Sequence, residues 1–220
     1  MANNVKISGR IASVTVNEKN NRTTIRLIHN FGGDVDALGL DLVAFKNKKG
    51  AWPAGVEGLK KGDNIVVNAF QRPNNYTDES GEVKYRTQLL VKNIVLNEKN
   101  ESVNDVELSG RLAADPAVNE AGSRISFRLI HNFGGDLAPL GVTVTAFKDK
   151  KGAWPAGVEG LKKGDNVIVK AFQRTNNYSN AEGEKIYRVQ VLAKSVEMNS
   201  KPEAEEAEEQ NEEKAAEKGE

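Results

Sequence analysis

The sequence lacks cysteine altogether and has only two histidines among its 220 residues. The missing thiols exclude disulfide bonds, thiolate–metal centres and a cysteine nucleophile, and they are compatible with a reducing cytoplasm. No stretch approaches the roughly 18 consecutive apolar residues that a membrane-spanning helix requires. A secretion signal begins with a charged segment followed by an apolar one, and the N-terminal sequence Met-Ala-Asn-Asn-Val-Lys does not have this pattern. We therefore expect no secretion signal and a cytoplasmic protein.

A net charge is also missing, because 31 Lys+Arg oppose 31 Asp+Glu, but the balance conceals a segregation along the chain. Residues 1–98 have 14 basic and 10 acidic side chains, residues 99–198 have 14 and 12, and residues 199–220 have 3 and 9. The last segment has no aromatic residue and no Leu, Ile or Val, so burial cannot offset the entropy of ordering it. A mildly basic body with an acidic tail is common in proteins that bind polyanions, although a merely solvating tail is as simple an interpretation.

An internal repeat organises the chain. Residues 25–72 and 127–174 align without a gap at an offset of 102, and 36 of the 48 aligned positions are identical. This period is too long for a solenoid and has the length of a domain, so the sequence predicts a tandem duplication. We predict a first domain at 1–98, a second at 104–198 and a disordered acidic tail at 199–220.

Each copy has the pattern of five short strands. In the first copy we predict strands at 5–11, 23–30, 38–45, 64–71 and 85–96. Residues 53–59 are the only candidate for a helix, and their two glycines favour a single turn over a long helix. Five strands with a brief helical element after the third are typical of an OB fold. The predicted fold class is therefore all-β, with two tandem OB-fold five-stranded Greek-key barrels.

Aromatic and basic residues recur around a long hairpin between the fourth and fifth strands. Aromatic rings stack on unpaired bases while cations bind phosphates, so this pattern favours single-stranded nucleic acid as the ligand. The candidate residues are Arg72, Tyr76, Lys84 and Arg86 in the first copy and Arg174, Tyr178, Lys185 and Arg188 in the second. We take Lys185 as the counterpart of Lys84 and expect a groove between the hairpin arms. Tyr85 and Tyr187 are equally well explained as strand tyrosines packed on the core.

The order and spacing of several motifs resemble the bacterial and phage single-stranded DNA-binding protein family. The motifs are Ser8-Gly9-Arg10, Leu59–Asp63, Tyr76–Gly81 and, in the second copy, Leu112–Pro116. The resemblance covers roughly residues 4–96 and 104–198. It implies a tandem OB-fold protein that binds and protects single-stranded DNA, without sequence preference, in replication, recombination or repair. We expect no enzymatic activity, no catalytic residue, no metal and no cofactor.

The resemblance also assigns roles to residues outside the hairpins. It implies stacking aromatics at Tyr76 and Phe45, and at their repeats Tyr178 and Phe147. The phosphate-binding residues that we place on or near the groove, besides those of the hairpins, are Arg10, Arg26, Arg111 and Arg128. Two chains would supply the four barrels common in the family, so we expect a homodimer. Two departures from the family pattern are visible. Early in the third strand, where the family often has a tryptophan, this chain has Gly39 and Leu40, and Gly141 and Val142 in the second copy. The tail also lacks the terminal apolar residue through which the family usually recruits partner proteins.

Other interpretations of these residues stay open. Trp52 and Trp154 could stack on bases or plug the barrels, and Phe31 and its repeat Phe133 could be exposed or buried. One histidine per copy makes a poor metal site. The alternative functions are an OB-fold module for RNA or for a protein, an enzyme built on repeated acids, and a structural or interaction role of the acidic tail. Those acids, Asp34, Asp63, Asp136 and Asp165, lie beside glycine, as turn residues do.

Overall fold

The computed structural model describes residues 2–135, 137–180, 183–186 and 188–199, which form two sets of strands. The first set is β1 (Asn3–Asn17), β2 (Arg22–His29), β3 (Leu38–Phe45), β4 (Asn64–Pro73), β5 (Tyr76–Thr77), β6 (Val83–Lys84) and β7 (Thr87–Leu96). A single 3₁₀ turn, Glu18–Asn20, separates β1 from β2.

The second set repeats the first with one change. It consists of β8 (Asn104–Leu112), β9 (Ala117–Val118), β10 (Arg124–His131), β11 (Leu140–Phe147), β12 (Asn166–Thr175), β13 (Tyr178–Ser179), β14 (Lys185–Ile186) and β15 (Val189–Met198). The long first strand of the first set is divided here into β8 and β9. Pro116 lies in the break, where its missing N–H cannot join a ladder.

Each set closes into a five-stranded barrel. In the first barrel β1 pairs with both β2 and β4, and β3 and β7 complete the circle. The contact between β3 and β7 is parallel and the others are antiparallel. The second barrel has the same order in β8, β10, β11, β15 and β12. The predicted pair of OB-fold barrels is confirmed, while the exact domain bounds stay a prediction.

Alternation along β2 and β10 points one set of side chains into each barrel and the other set outward. In β2, Ile25 and Leu27 are fully buried while Arg26 between them faces outward. β10 repeats this pattern with buried Phe127 and Leu129 on either side of Arg128. Successive side chains of a strand point to opposite faces, so the same strand supplies apolar side chains to the core and an arginine to the outer face.

The two barrels join through one continuous sheet. β1 pairs antiparallel with β8, and Val5 lies opposite Val106. These valines are equivalent in the repeat, so an approximate twofold axis passes between them. The connection between β7 and β8 is short and polar, as predicted. Within it, Asn97 Nδ2 donates to the Glu101 carbonyl and Asn97 Oδ1 accepts from the Glu101 N–H, both at 2.9 Å.

Two smaller predictions have different outcomes. Residues 53–59 form no helix but one turn, in which the Val56 N–H donates to the Pro53 carbonyl at 3.2 Å, and Ala54 then bridges to Asn93. The predicted disorder of the tail falls on residues that, apart from Asn199, lie outside the described part of the chain. Within that part, no helix has the length and hydropathy that a membrane crossing requires.

Candidate nucleic-acid interface

The outward face of β2 and β3 presents a row of cross-strand pairs. Arg22 lies opposite Phe45 at one end, and Arg26 lies opposite Asp41 further along. In β10 and β11 the corresponding pairs are Arg124 with Phe147 and Arg128 with Thr143. Phe45 and Phe147 are 41% and 46% exposed, so both rings are open to solvent. The structure thus brings a predicted aromatic and a predicted arginine onto one face of each barrel.

A glycine makes room for each arginine of this face. A Cβ built on Gly39 would lie 2.5 Å from Nη2 of Arg26, and Gly141 stands in the same relation to Arg128. The guanidinium therefore lies directly over the strand. The planar guanidinium is itself a surface on which bases can stack. This explains the absent tryptophan: a large side chain at position 39 would compete with Arg26 for the same space.

Each hairpin carries a tyrosine under an arginine. The guanidinium carbon of Arg86 lies 4.9 Å from the ring centroid of Tyr76, and that of Arg188 lies 5.1 Å from Tyr178. Both tyrosines are 42% exposed. A cation held over an aromatic face at this distance is an attractive arrangement. Four of the predicted residues are thus brought together in two equivalent pairs.

The tip of the first hairpin is organised by Asp78. Its Oδ1 accepts hydrogen bonds from Ser80 Oγ at 2.6 Å and from the Glu82 N–H at 3.0 Å, and its Oδ2 lies 3.3 Å from Lys84 Nζ. The hydrogen bond from the Ser80 side chain is the main cause that lowers the pKa of Asp78, and the bonds from Glu82 and Lys84 add to it. The second tip uses the neutral Asn180, whose Oδ1 accepts from the Glu184 N–H at 2.8 Å.

The expected equivalence of Lys84 and Lys185 is wrong. Lys84 pairs across its hairpin with Tyr76, whereas Tyr178 pairs with Ile186 and Lys185 pairs with Ser179. The two lysines differ by one position in register. Because neighbouring residues of a strand alternate between faces, the lysines leave opposite faces of their hairpins.

The expected groove between the hairpin arms is also wrong, because the arms pair directly with each other. The structure instead has a groove of about 990 Å³ between the two barrels. We call it the inter-barrel groove. Its predicted members are Arg26 from the first barrel and three residues of the second hairpin, Tyr178, Lys185 and Arg188.

One edge of this groove breaks the approximate symmetry. Thr175 Oγ1 donates to the Asp36 carbonyl at 3.2 Å, and Asn177 Nδ2 donates to Asp36 Oδ2 at 3.4 Å. The equivalents of Thr175 and Asp36 are Pro73 and Ala138, which have neither hydroxyl nor carboxylate. Only the base of the second hairpin is therefore fixed to the other barrel in this way.

The tryptophans combine features of both interpretations. Trp52 and Trp154 are half-buried and pack against the core, as the structural alternative predicted. Lys46 Nζ lies 5.0 Å from the Trp52 ring and Lys148 Nζ lies 4.9 Å from Trp154. The sequence reasoning missed these lysines, although each directly follows the exposed phenylalanine in both copies. A contribution of the tryptophans to binding stays a prediction.

The remaining predicted arginines lie apart from these sets. Arg10 Nη1 donates to the Gly62 carbonyl at 3.4 Å, and Arg111 Nη1 donates to Gly164 at 3.0 Å, so both lie at the turn before the fourth strand of their barrel. Arg72 and Arg174 lie near the ends of β4 and β12, where the hairpins begin.

Tyr85 is 77% exposed, so the alternative in which it packs on the core is wrong. Its repeat Tyr187 lies outside the described residues. Phe31 and Phe133, by contrast, pack partly against the core.

The histidines and two of the repeated acids, Asp63 and Asp165, have local structural partners. Nδ1 of His29 lies 2.7 Å from the Ser8 carbonyl, and His131 makes the same contact with Ser109. Since a carbonyl only accepts, Nδ1 carries the proton in both. The acid before β4, Asp63, accepts from the Lys60 N–H at 3.0 Å, as a turn residue does. Among the described residues, no cluster of three His, Asp or Glu is placed to hold a metal ion.

Comparison with solved structures identifies the fold. The wild-type single-stranded DNA binding protein from Thermus aquaticus superposes with a TM-score of 0.60 at 19% identity, covering 91% of this chain and 94% of that chain. A deletion mutant of the same protein has a TM-score of 0.60 at 18% identity, covering 91% and 96%. No protein-family model and no curated protein matches the sequence. The resemblance predicted from the sequence motifs is thus confirmed at the level of the fold.

Proposed function

We propose that this chain binds single-stranded DNA without sequence preference. The observation that carries the proposal is the pairing of an exposed tyrosine with an arginine on both hairpins, Tyr76 with Arg86 and Tyr178 with Arg188. A base can stack on such a ring while the cation attracts the adjacent phosphate. The similar solved structures, named as single-stranded DNA binding proteins, support the same ligand.

The face of each barrel extends this binding surface. Phe45 and Phe147 provide further exposed rings, and Arg26 and Arg128 provide guanidinium groups over glycine. A strand that contacts several of these residues in both barrels gains affinity through effective concentration. Contacts to rings and phosphates carry little sequence information, because every base has a π-face and every nucleotide a phosphate.

The test is a titration of labelled oligo(dT) with the full chain and with Tyr76→Ala/Tyr178→Ala. Stacking contributes about 1–3 kcal/mol per base, so we expect the double variant to weaken binding at least about tenfold. Tyr76→Phe/Tyr178→Phe keeps the rings and should bind almost as the unchanged chain does. The logarithm of affinity should fall with the logarithm of salt at about −0.7 per phosphate neutralised.

Two controls separate this function from the alternatives. Matched duplex DNA should bind much more weakly than oligo(dT), and oligo(U) should compete poorly. Equal binding to duplex, or preference for oligo(U), would contradict the proposal and favour the RNA-binding alternative. Loss of DNA during incubation with magnesium would instead favour an enzyme.

Assembly and cellular role are part of the same proposal. We propose a homodimer with four barrels, participation in replication, recombination or repair, and an acidic tail at 199–220 that competes with DNA for the basic surface. Measuring the mass in solution tests the dimer. Deletion of 200–220 should tighten oligo(dT) binding at low salt if the tail competes.

A further inference from the structure

The two repeats differ in charge at the positions that face the proposed ligand. Three acids of the first repeat, Asp36, Asp41 and Asp78, are replaced in the second by Ala138, Thr143 and Asn180. All three lie on the elements described above, namely the loop after β2, the face of β3 and the hairpin tip. These three charge differences therefore lie where the ligand would bind.

On the barrel face, the acid neutralises an arginine of the first repeat. Arg26 Nη1 lies 3.1 Å from Asp41 Oδ1, and the two residues are direct cross-strand partners. A phosphate that approached Arg26 would have to displace this carboxylate or remain beside it. Arg128 holds the same position over Gly141, but its cross-strand partner is Thr143, which bears no charge.

On the hairpin, the acid holds a lysine of the first repeat. Lys84 Nζ lies 3.3 Å from Asp78 and also pairs with Glu82. The second hairpin has Asn180 in place of Asp78, and its lysine, Lys185, stands one position away in register. One carboxylate is thus removed from the neighbourhood of the second tyrosine–arginine pair.

The matched segments that contain these elements also differ in charge between the repeats. Residues 22–45 contain two arginines and three aspartates, whereas residues 124–147 contain two arginines and one aspartate. Residues 72–86 have three cations and three acids, whereas residues 174–188 have three cations and two acids. These two segments together have a net charge of −1 in the first repeat and +2 in the second.

Two of the acids that only the second repeat has lie away from the face described above. Asp105 lies 2.7 Å from Lys194 at the junction of the barrels, away from the β10–β11 face. Asp149 accepts the N–H groups of Lys151 and Ala153 in a turn, where lysines precede and follow it. The greater total positive charge of residues 1–98 therefore resides elsewhere on the first barrel.

We propose that the two barrels bind single-stranded DNA unequally, with the second repeat as the primary site and Arg128 as its main phosphate contact. The inference rests on the proposed function. In the first repeat, Asp41 and Asp78 weaken phosphate binding by occupying Arg26 and Lys84. The strand is then held first by the second barrel, and the first barrel adds affinity once the strand is long enough to reach it.

The experiment compares Arg26→Ala with Arg128→Ala in the full chain, using labelled oligo(dT) of about 10 nucleotides, within the site size of one OB fold. We expect Arg128→Ala to weaken binding about tenfold and to reduce the salt slope by about 0.7, the loss of one phosphate contact on a single strand. Arg26→Ala should weaken binding by about twofold or less.

A charge exchange provides the matched control, since each repeat supplies the residue tested in the other. Asp41→Thr should tighten binding and Thr143→Asp should weaken it. In the chain with both changes, Arg26→Ala should become more costly than Arg128→Ala. All these positions are outside the barrel interiors, and circular dichroism would verify folding.

The outcomes distinguish the two proposals. If the unchanged chain does not bind oligo(dT), the proposed function fails and this inference fails with it. If the unchanged chain binds but Arg26→Ala is as costly as Arg128→Ala, the inference alone is overturned. An exchange of Asp41 and Thr143 that leaves the two arginine effects unaltered would overturn it equally.

Discussion

At the scale of single residues, glycine determines where the cations of the barrel face lie. The backbone at Gly39 and Gly141 is not left-handed, so backbone conformation does not require glycine at either position. What they provide is space, because a Cβ would meet the end of an arginine side chain. Gly9 is a different case, since a Cβ there would lie 2.5 Å from the backbone oxygen of Ile28. The same substitution should therefore affect binding at one position and stability at another.

We predict that Gly141→Ala weakens oligo(dT) binding several-fold with little change in the free energy of unfolding. Arg128 can move away from a new methyl group at small cost, but it then loses its position over the strand. In an Arg128→Ala background, Gly141→Ala should have no further effect. Gly9→Ala should instead destabilise the fold by about 1–3 kcal/mol, because the carbonyl cannot move freely. Urea denaturation and anisotropy titration measure the two effects, and equal destabilisation by both variants would contradict this account.

The contacts of single residues differ in how far they can be predicted from the sequence. The outward position of Arg26 follows from the period of a strand, which is visible in the sequence because Arg26 alternates with Ile25 and Leu27. Its ion pair with Asp41 was not predictable, since it depends on the register between β2 and β3. Lys84 and Lys185 are a different case, because at the offset of 102 Lys84 aligns with Ile186 and Lys185 with Val83, so the sequence already carried the signal for their different ladder positions.

At the scale of elements, the hairpin between β4 and β7 is a separate small ladder whose tip depends on one side chain. Asp78 and Asn180 make the same turn, with a charge in one copy and without it in the other. A carboxyl group whose pKa is lower in the folded protein stabilises the fold above its unfolded pKa. That contribution is lost as the pH falls through the folded value.

We predict that the first hairpin loosens in acid before the second does. Hydrogen bonds from Ser80, Glu82 and Lys84 lower the pKa of Asp78 below 3.8, so its contribution is present above about pH 4 and is lost as the pH falls through the lower folded value. The amide of Gly81, which donates to the Asp78 carbonyl, should report the change by NMR, and Gly183 in the second hairpin should respond less. Asp78→Asn should abolish the difference between the two amides. Identical pH profiles of the two glycines in the unchanged chain would contradict the prediction.

The elements themselves were largely predictable. Runs of β-branched and aliphatic residues gave the five barrel strands of the first copy, and Gly-rich segments marked the turns between them. The first strand extends further than predicted, to Asn17, because its polar second half still pairs with β2. The division of β8 from β9 was not foreseen, although Pro116 provided a signal for it. At 53–59 the two glycines favoured a turn over a long helix, and the structure has turns there with both glycines at positive φ.

At the scale of the whole molecule, the duplication produced an internal pair of barrels rather than two separate domains on a linker. The repeat predicted two units, but not that β1 would pair with β8, because the sequence carries no pattern for pairing between copies. Val5 and Val106 meet at the approximate axis and both belong to the buried core. A sheet that continues across the junction should make each barrel depend on the other for stability.

We predict that Val5→Ala and Val106→Ala are coupled. Each should destabilise the chain by about 1–3 kcal/mol, because a buried side chain is truncated. If the valines touch across the junction, the double variant should depart from additivity by at least about 0.5 kcal/mol, whereas Val5→Ala with the distant core change Val144→Ala should be additive. Urea denaturation of the three single and two double variants gives these values. Additive effects of Val5→Ala and Val106→Ala, together with two separate unfolding transitions, would show that the barrels are independent in solution, and the two faces would then bind DNA as tethered modules.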